Sequence, residues 1–144
     1  MAQRFDPSDA AQQAALELLR TRTIAWFTTV DRGGAPHAVP VWFFWHDGAV
    51  LVFSEDATAK VRHVRAGSPV LVHLETGRFG NEVLILSGAA EISERDSASW
   101  LTEFRDTYIA KYADAIADYG QPIDDIMRTF ATTIVFRPET LLAW

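Results

Sequence analysis

Cysteine is absent from this 144-residue chain, which removes disulfides and thiolate metal sites and fits a reducing compartment. Long hydrophobic runs are missing as well. The longest, Val39 to Trp45, falls far short of the roughly 20 residues that a membrane-spanning helix needs. The opening MAQRFDPSDAAQQ carries no apolar signal core. Together these absences set the expectation of a soluble, cytoplasmic protein without a membrane partner. Positive charge is scarce: 13 Lys and Arg stand against 19 Asp and Glu, for a net charge of −6. No nucleic-acid partner is expected, because such partners require a basic footprint. An anionic ligand could be met only by a local concentration of the few cations.

Familiar catalytic motifs are missing too. The histidines, His37, His46, His63 and His73, show no HxH or HExxH spacing, so no metal site is expected. There is no GxSxG sequence, and Ser54 and Ser87 sit in no recognisable triad context. Walker and GxGxxG loops are absent; Gly33-Gly34 falls in turn chemistry with no helix behind it.

Apolar residues, by contrast, make up 49% of the chain, enough to build a core in a single domain spanning 1–144. Pro7-Ser8-Asp9 caps a first helix over about 8–20. Thr23–Val30 reads as a strand, Asp31-Arg32-Gly33-Gly34 as a hairpin turn, and PHAVPVWFFWHDG as a second strand ending at the Asp47-Gly48 turn. Ala49–Ser54 follows as a third, which predicts a three-strand meander. A short helical segment with Val61 and Val64 on one side stops at Gly67. Strands are expected at Pro69–Glu75, Glu82–Ser93 and Thr132–Pro138. Between the last two the period turns helical over about 94–130. There Trp100, Phe104, Tyr108, Tyr112 and Ile116 form a core stripe, and Gly120-Gln121-Pro122 interrupts the run. The expected fold is mainly β: a small antiparallel barrel of six to seven strands with peripheral helices.

Two strands break the usual alternation. In the second, Ala38, Pro40, Trp42 and Phe44 share one face, and His37, Val39, Val41, Phe43 and Trp45 share the other. Both faces are apolar, so both call for cover: a barrel interior on one side and a helix, a second subunit or a ligand on the other. Pro40 cannot donate to a ladder and points to an edge, a bulge or the approach of something other than a strand. In the fifth strand, Ser87-Gly88-Ala89-Ala90 is a run of small residues, which suits either a flat ligand or a tight barrel corner.

The basic cluster Lys60-Val61-Arg62-His63-Val64-Arg65 begins a helix just after the third strand. Lys60 there would lie near free backbone N–H groups, with Ser54 and Thr58 adding hydroxyls and His63 sharing its side. A solvated helix face is the plainer reading of the same cluster. An apolar slot, an anion clamp and no reactive side chain together describe a protein whose cofactor carries the chemistry.

Three stretches, GGAPHAVPVWFFWHDGAVLVFS, TAKVRHVRAGSPVLV and VLILSGAAEI, resemble the pyridoxamine 5′-phosphate oxidase-like split β-barrel superfamily. Within it they are most similar to the flavin/deazaflavin oxidoreductases of the B group, which mostly use coenzyme F420. The resemblance runs from about Ile24 to the C-terminus. It implies a homodimer with the cofactor in a groove at the subunit interface. Val39, Pro40, Val41 and Trp42 match the segment lining the cofactor ring. Ser54, Thr58 and Lys60 match phosphate-binding positions, with Arg62 as a supplement. Leu86, Ser87 and Gly88 match a strand packing near the cofactor. Many FMN-using relatives carry arginines upstream of the lysine, whereas here Glu55 and Asp56 precede it. The implied activity is hydride transfer from reduced F420 to an electron-poor small molecule such as an enone, quinone or nitro compound. An FMN-binding oxidoreductase and a non-catalytic flavin or deazaflavin carrier are the alternatives. The Gly77–Asn81 loop and the Tyr119–Phe130 segment are the candidates for shaping the acceptor pocket.

Overall fold

The computed structural model describes residues 2–144. In chain order the elements are β1 (Gln3–Arg4), α1 (Ala10–Leu16), α2 (Leu18–Thr21), β2 (Ala25–Val30), β3 (Pro36–Val41), β4 (Phe44–His46), β5 (Ala49–Ser54) and α3 (Ala59–Arg65). They continue with β6 (Pro69–Leu74), β7 (Leu84–Ile92), α4 (Ser97–Leu101), α5 (Arg105–Lys111), α6 (Ala113–Tyr119), α7 (Ile123–Thr129) and β8 (Thr132–Ala143). Every ladder is antiparallel. The sheet order is β3-β2-β6-β7-β8-β5-β4, with β1 beside β8. This curled sheet with helices at its periphery is the expected split β-barrel.

The meander is not found. The expected second strand is two strands, β3 and β4, at opposite ends of the sheet path. The ladder with β2 ends at Val41↔Ala25 and the ladder with β5 begins at Phe44↔Leu51, leaving Trp42 and Phe43 in neither. Backbone groups outside a ladder need other partners, and the helical layer supplies them. The Phe43 N–H donates to Tyr112 Oη at 2.8 Å, and the Phe43 carbonyl accepts from Lys111 Nζ at 3.1 Å and from Tyr112 Oη at 2.7 Å. Pro40 lies near the end of an edge strand, where a missing N–H costs no ladder bond on the open side. Turn chemistry behaves as read: Asp47 and Gly48 both take positive φ (48° and 74°) and close the β4–β5 hairpin.

Two apolar clusters form on the two faces of the sheet. Val41, Phe43, Val50 and Val52 point into the barrel with Phe27, Leu86 and Phe136. Phe44, Leu51 and Val135 point outward against Leu101, Phe104, Tyr108, Tyr112, Ile126 and Met127 of the helical layer. β5 is therefore covered on both sides, which is why it reads as an unbroken apolar run. The same holds for the aromatic half of the crossover, where Trp42 stacks on Tyr112 at 5.0 Å and Phe44 on Phe104 at 4.2 Å. Ala38 and Pro40 stay exposed.

The expected first helix is divided at Glu17 into α1 and α2; the Asp9 carboxylate caps α1, accepting from Ala11 and Gln12 N–H at 2.8 and 3.1 Å. The helical stretch after β7 is four short helices, not one long one. Its stripe still runs at steps of four, with Tyr108 N–H donating to Phe104 O, Tyr112 to Tyr108 and Ile116 to Tyr112. The small patch on β7 has a local cause. A register shift lies between Ser87 and Gly88, where Pro138 of β8 faces Gly88. A Cβ on Gly88 would meet the Arg137 carbonyl oxygen at 2.2 Å. Of the two readings of that patch, the tight barrel corner accounts for it. No helix among the described residues is long and apolar enough to cross a membrane.

Candidate cofactor site

Where β3 gives way to β4, a cavity of about 250 Å³ opens between the sheet edge and the helical layer. Pro40, Val41 and Trp42 form one wall, and Phe53 of β5 and Lys60 of α3 form the second. Tyr108, Tyr119, Ile126, Met127 and Phe130 close it from the helices. The Tyr119–Phe130 segment thus shapes the cavity, and the Gly77–Asn81 loop does not line it.

Lys60 is half-buried, and among the described residues it has neither a hydrogen-bond partner nor an ion-pair partner. Burial pulls its ammonium below the usual lysine range, with the Glu55 charge opposing in part. Asp56, the other acid of this loop, is occupied. It accepts from Arg65 at 2.7 Å and from Thr132 Oγ1 at 3.0 Å, and both bonds hold its carboxyl below the usual range. A partly desolvated cation without a bonded partner, beside aromatic walls, is an electrostatic invitation to an anion.

The remaining expected residues separate. Val39 is partly buried against the barrel core next to Pro40. Ser54 is 1% exposed, donates to the Glu55 carbonyl at 2.8 Å and lies 3.2 Å from Thr58 Oγ1. Thr58 also bonds the Glu55 carbonyl, so this hydroxyl pair braces the loop that presents Lys60. Arg62 turns away and, with Arg32, His63 and Ser68, lines a separate depression below the β2–β3 turn. His63 is there too, 2.7 Å from Thr29 Oγ1 and edge-on to His37, so it does not share the Lys60 side. Leu86 is sealed in the barrel core, Ser87 bonds Thr140 across the sheet, and Gly88 packs on the β8 backbone. None of these three lines the cavity. No group of three or more potential metal ligands occurs among the described residues.

Ile126, Met127 and Phe130 fall in the Tyr119–Phe130 segment, whereas Phe53 and Tyr108 were not recognisable as site residues in the sequence. Tyr108 was visible only as a member of the core stripe, and its polar tip was the one available signal.

A split barrel with an apolar, cation-bearing cavity at its open edge defines a cofactor- or ligand-binding class of protein. The family model described as pyridoxamine 5′-phosphate oxidase matches residues 11–143. The chain belongs to that family, whose members are generally flavin oxidoreductases. Similar solved structures include a pyridoxamine 5′-phosphate oxidase-like protein of Listeria innocua, with a TM-score of 0.67 at 19% identity over 92% of this chain and 97% of that one. An F420 reductase gives 0.65 at 20% identity over 88% and 94%. An FAD-binding protein of Mesorhizobium loti gives 0.63 at 15% over 98% and 94%. At such identities the likeness is one of fold. No curated protein matches the chain in sequence.

Proposed function

We propose that this protein is an F420H2-dependent reductase acting on an electron-poor small molecule, working as a cytoplasmic homodimer. The observation that carries the reading is Lys60: one unpaired, partly desolvated cation on the wall of an aromatic-lined cavity, next to the crossover backbone at Pro40–Trp42. When bound, reduced F420 supplies a hydride to an acceptor such as an enone, quinone or nitro compound. The chain itself binds and orients. Trp42 and Phe130 offer flat apolar faces, Lys60 meets an acidic group, and the helical layer keeps water from the cavity.

The cavity wall offers one cation, matched to a single negative charge on whatever part of the cofactor lies beside it. A phosphate monoester carries about −1.5 to −2 at pH 7, and here a single lysine, with Glu55 nearby, would have to meet it. That imbalance counts against the FMN phosphate as the group that Lys60 meets. FMN remains the second reading, supported by the family itself and by the FAD-binding relative. A carrier without turnover is the third.

The dimer draws support from the outer face of the sheet. Trp26, His73, Ile85 and Leu142 align in register across β2, β6, β7 and β8, each only partly buried and outside both core clusters. No helix of the outer cluster packs there, and a second copy would cover the row. Size-exclusion chromatography with light scattering is expected to return twice the 16.1 kDa chain mass. The deciding experiment for the cofactor is a parallel titration with F420 and FMN. Tight F420 binding lost in Lys60→Ala supports the proposal, whereas purified protein carrying FMN overturns the F420 preference.

A further inference from the structure

Tyr108 is only 2% exposed, yet its hydroxyl has no hydrogen-bond partner among the described residues. Its neighbour on the stripe, Tyr112, is by contrast fully engaged with Phe43 and Thr23. No buried polar side-chain atom is left unpaired among the described residues. The Tyr108 hydroxyl is therefore not sealed in the core but reaches the cavity that its ring lines. A donor that opens on a cavity and has no protein partner is free to bond a docked acceptor.

The cavity defines which acceptor. Lys60 lies on its wall and no carboxylate does, so an ionised oxygen is favoured over a neutral one. Burial pushes the Tyr108 phenol up, so it stays protonated and acts as donor. The rings of Trp42, Phe53 and Phe130 suit a planar apolar body, and about 250 Å³ takes one end of a ring system, since pockets for whole drug-sized ligands are roughly 300–1,000 Å³. We infer that the cavity takes an aromatic ring bearing an ionised hydroxyl, and that Tyr108 donates to that oxygen. The identity of the natural ring rests on the reductase reading: F420 carries a hydroxyl on its deazaflavin ring where FMN carries a methyl group. Tyr108 is then the residue that distinguishes the two cofactors, with Lys60 supplying the charge.

The test uses the full chain and two probes that differ only in that oxygen, 4-nitrophenol and 4-nitrotoluene, followed by quenching of tryptophan fluorescence. The absorbance of 4-nitrophenol also reports its ionisation. The wild-type protein is expected to bind the ionised nitrophenol and to lower its apparent pKa. Tyr108→Phe should weaken that binding about 10-fold and leave 4-nitrotoluene binding and the urea midpoint near wild type. Lys60→Met should abolish the shift in nitrophenol ionisation. Equal nitrophenol binding by wild type and Tyr108→Phe would overturn the inference. So would inorganic phosphate displacing the probe from wild type and Tyr108→Phe alike, which would make the cavity a phosphate site. A parallel F420 titration separates the two readings. Tyr108-dependent nitrophenol binding with no F420 binding leaves this pocket standing and removes the reductase. F420 binding indifferent to Tyr108→Phe does the reverse.

Discussion

Two lysines of this protein, Lys60 and Lys111, are both partly withdrawn from water, and their surroundings could hardly differ more. Lys111 donates to the carbonyls of Leu19 at 3.0 Å and Phe43 at 3.1 Å, and its ammonium sits 3.8 Å from the Phe43 ring centroid. Lys60 bonds nothing among the described residues and faces a cavity. Burial lowers both, Lys111 to about 7 and Lys60 in direction only. A desolvated amine that has partners is a fastener; one that lacks them is an open binding determinant. Lys111 holds the crossover where β3 becomes β4, and Lys60 stands beside it.

The sharpest way to break the comparison is Lys111→Met. It takes the ammonium from the Leu19 carbonyl and leaves the Phe43 carbonyl with Tyr112 alone, and is expected to cost about 2 kcal/mol, read as a lower urea midpoint with an unchanged m-value. Next in size is the ligand effect at the other lysine. Lys60→Met should weaken F420 binding at least ~10-fold, the loss of one charge-assisted contact, measured by fluorescence titration. A loss of affinity in Lys111→Met as large as this, with folding intact, would erase the distinction.

The third test is pH. With Lys111 at about 7 in the folded protein and near 10.4 when unfolded, the unfolded chain binds the extra proton between those values. Stability should therefore rise with pH from about 7 to about 10, by about 1 kcal/mol per pH unit. Urea melts across that range should show the slope, and Lys111→Met should flatten it. A neutral amine still has two N–H donors for its two carbonyls, so the fastener survives deprotonation. The smallest effect is Lys60→Met on stability itself, within about 0.5 kcal/mol of wild type, because nothing in the folded protein depends on that ammonium.

Much of this arrangement was legible in the residues. The Asp47-Gly48 turn, the strand Ala49–Ser54 and the aromatic stripe followed from turn chemistry, composition and period. The division of PHAVPVWFFWHDG did not, because an apolar run looks the same whether it continues one ladder or leaves it for another. What divides it is the cluster of Tyr112 and Lys111, some 70 positions further on. Of the residues singled out, Pro40, Val41, Trp42 and Lys60 line one cavity. Ser54 and Arg62 do not join them, since hydroxyl partners and the direction of a guanidinium are set by tertiary neighbours. Tyr108 illustrates the converse: the same spacing that marks a core residue says nothing of where its hydroxyl ends up.

The sheet order has one more consequence, for the way the chain acquires its structure. β8 lies between β7 and β5, so the strand synthesised after the other seven is an interior member of the sheet. Until it arrives, the β2-β3-β6-β7 group and the β4–β5 hairpin share no ladder. Such long-range pairings come late because the intervening loops must close first. The unfinished chain thus exposes both flanks that β8 will join, and with them the interior of the barrel. Assembly of the cavity, walled by β5 on one side and by helices that precede β8 on the other, waits on that last insertion.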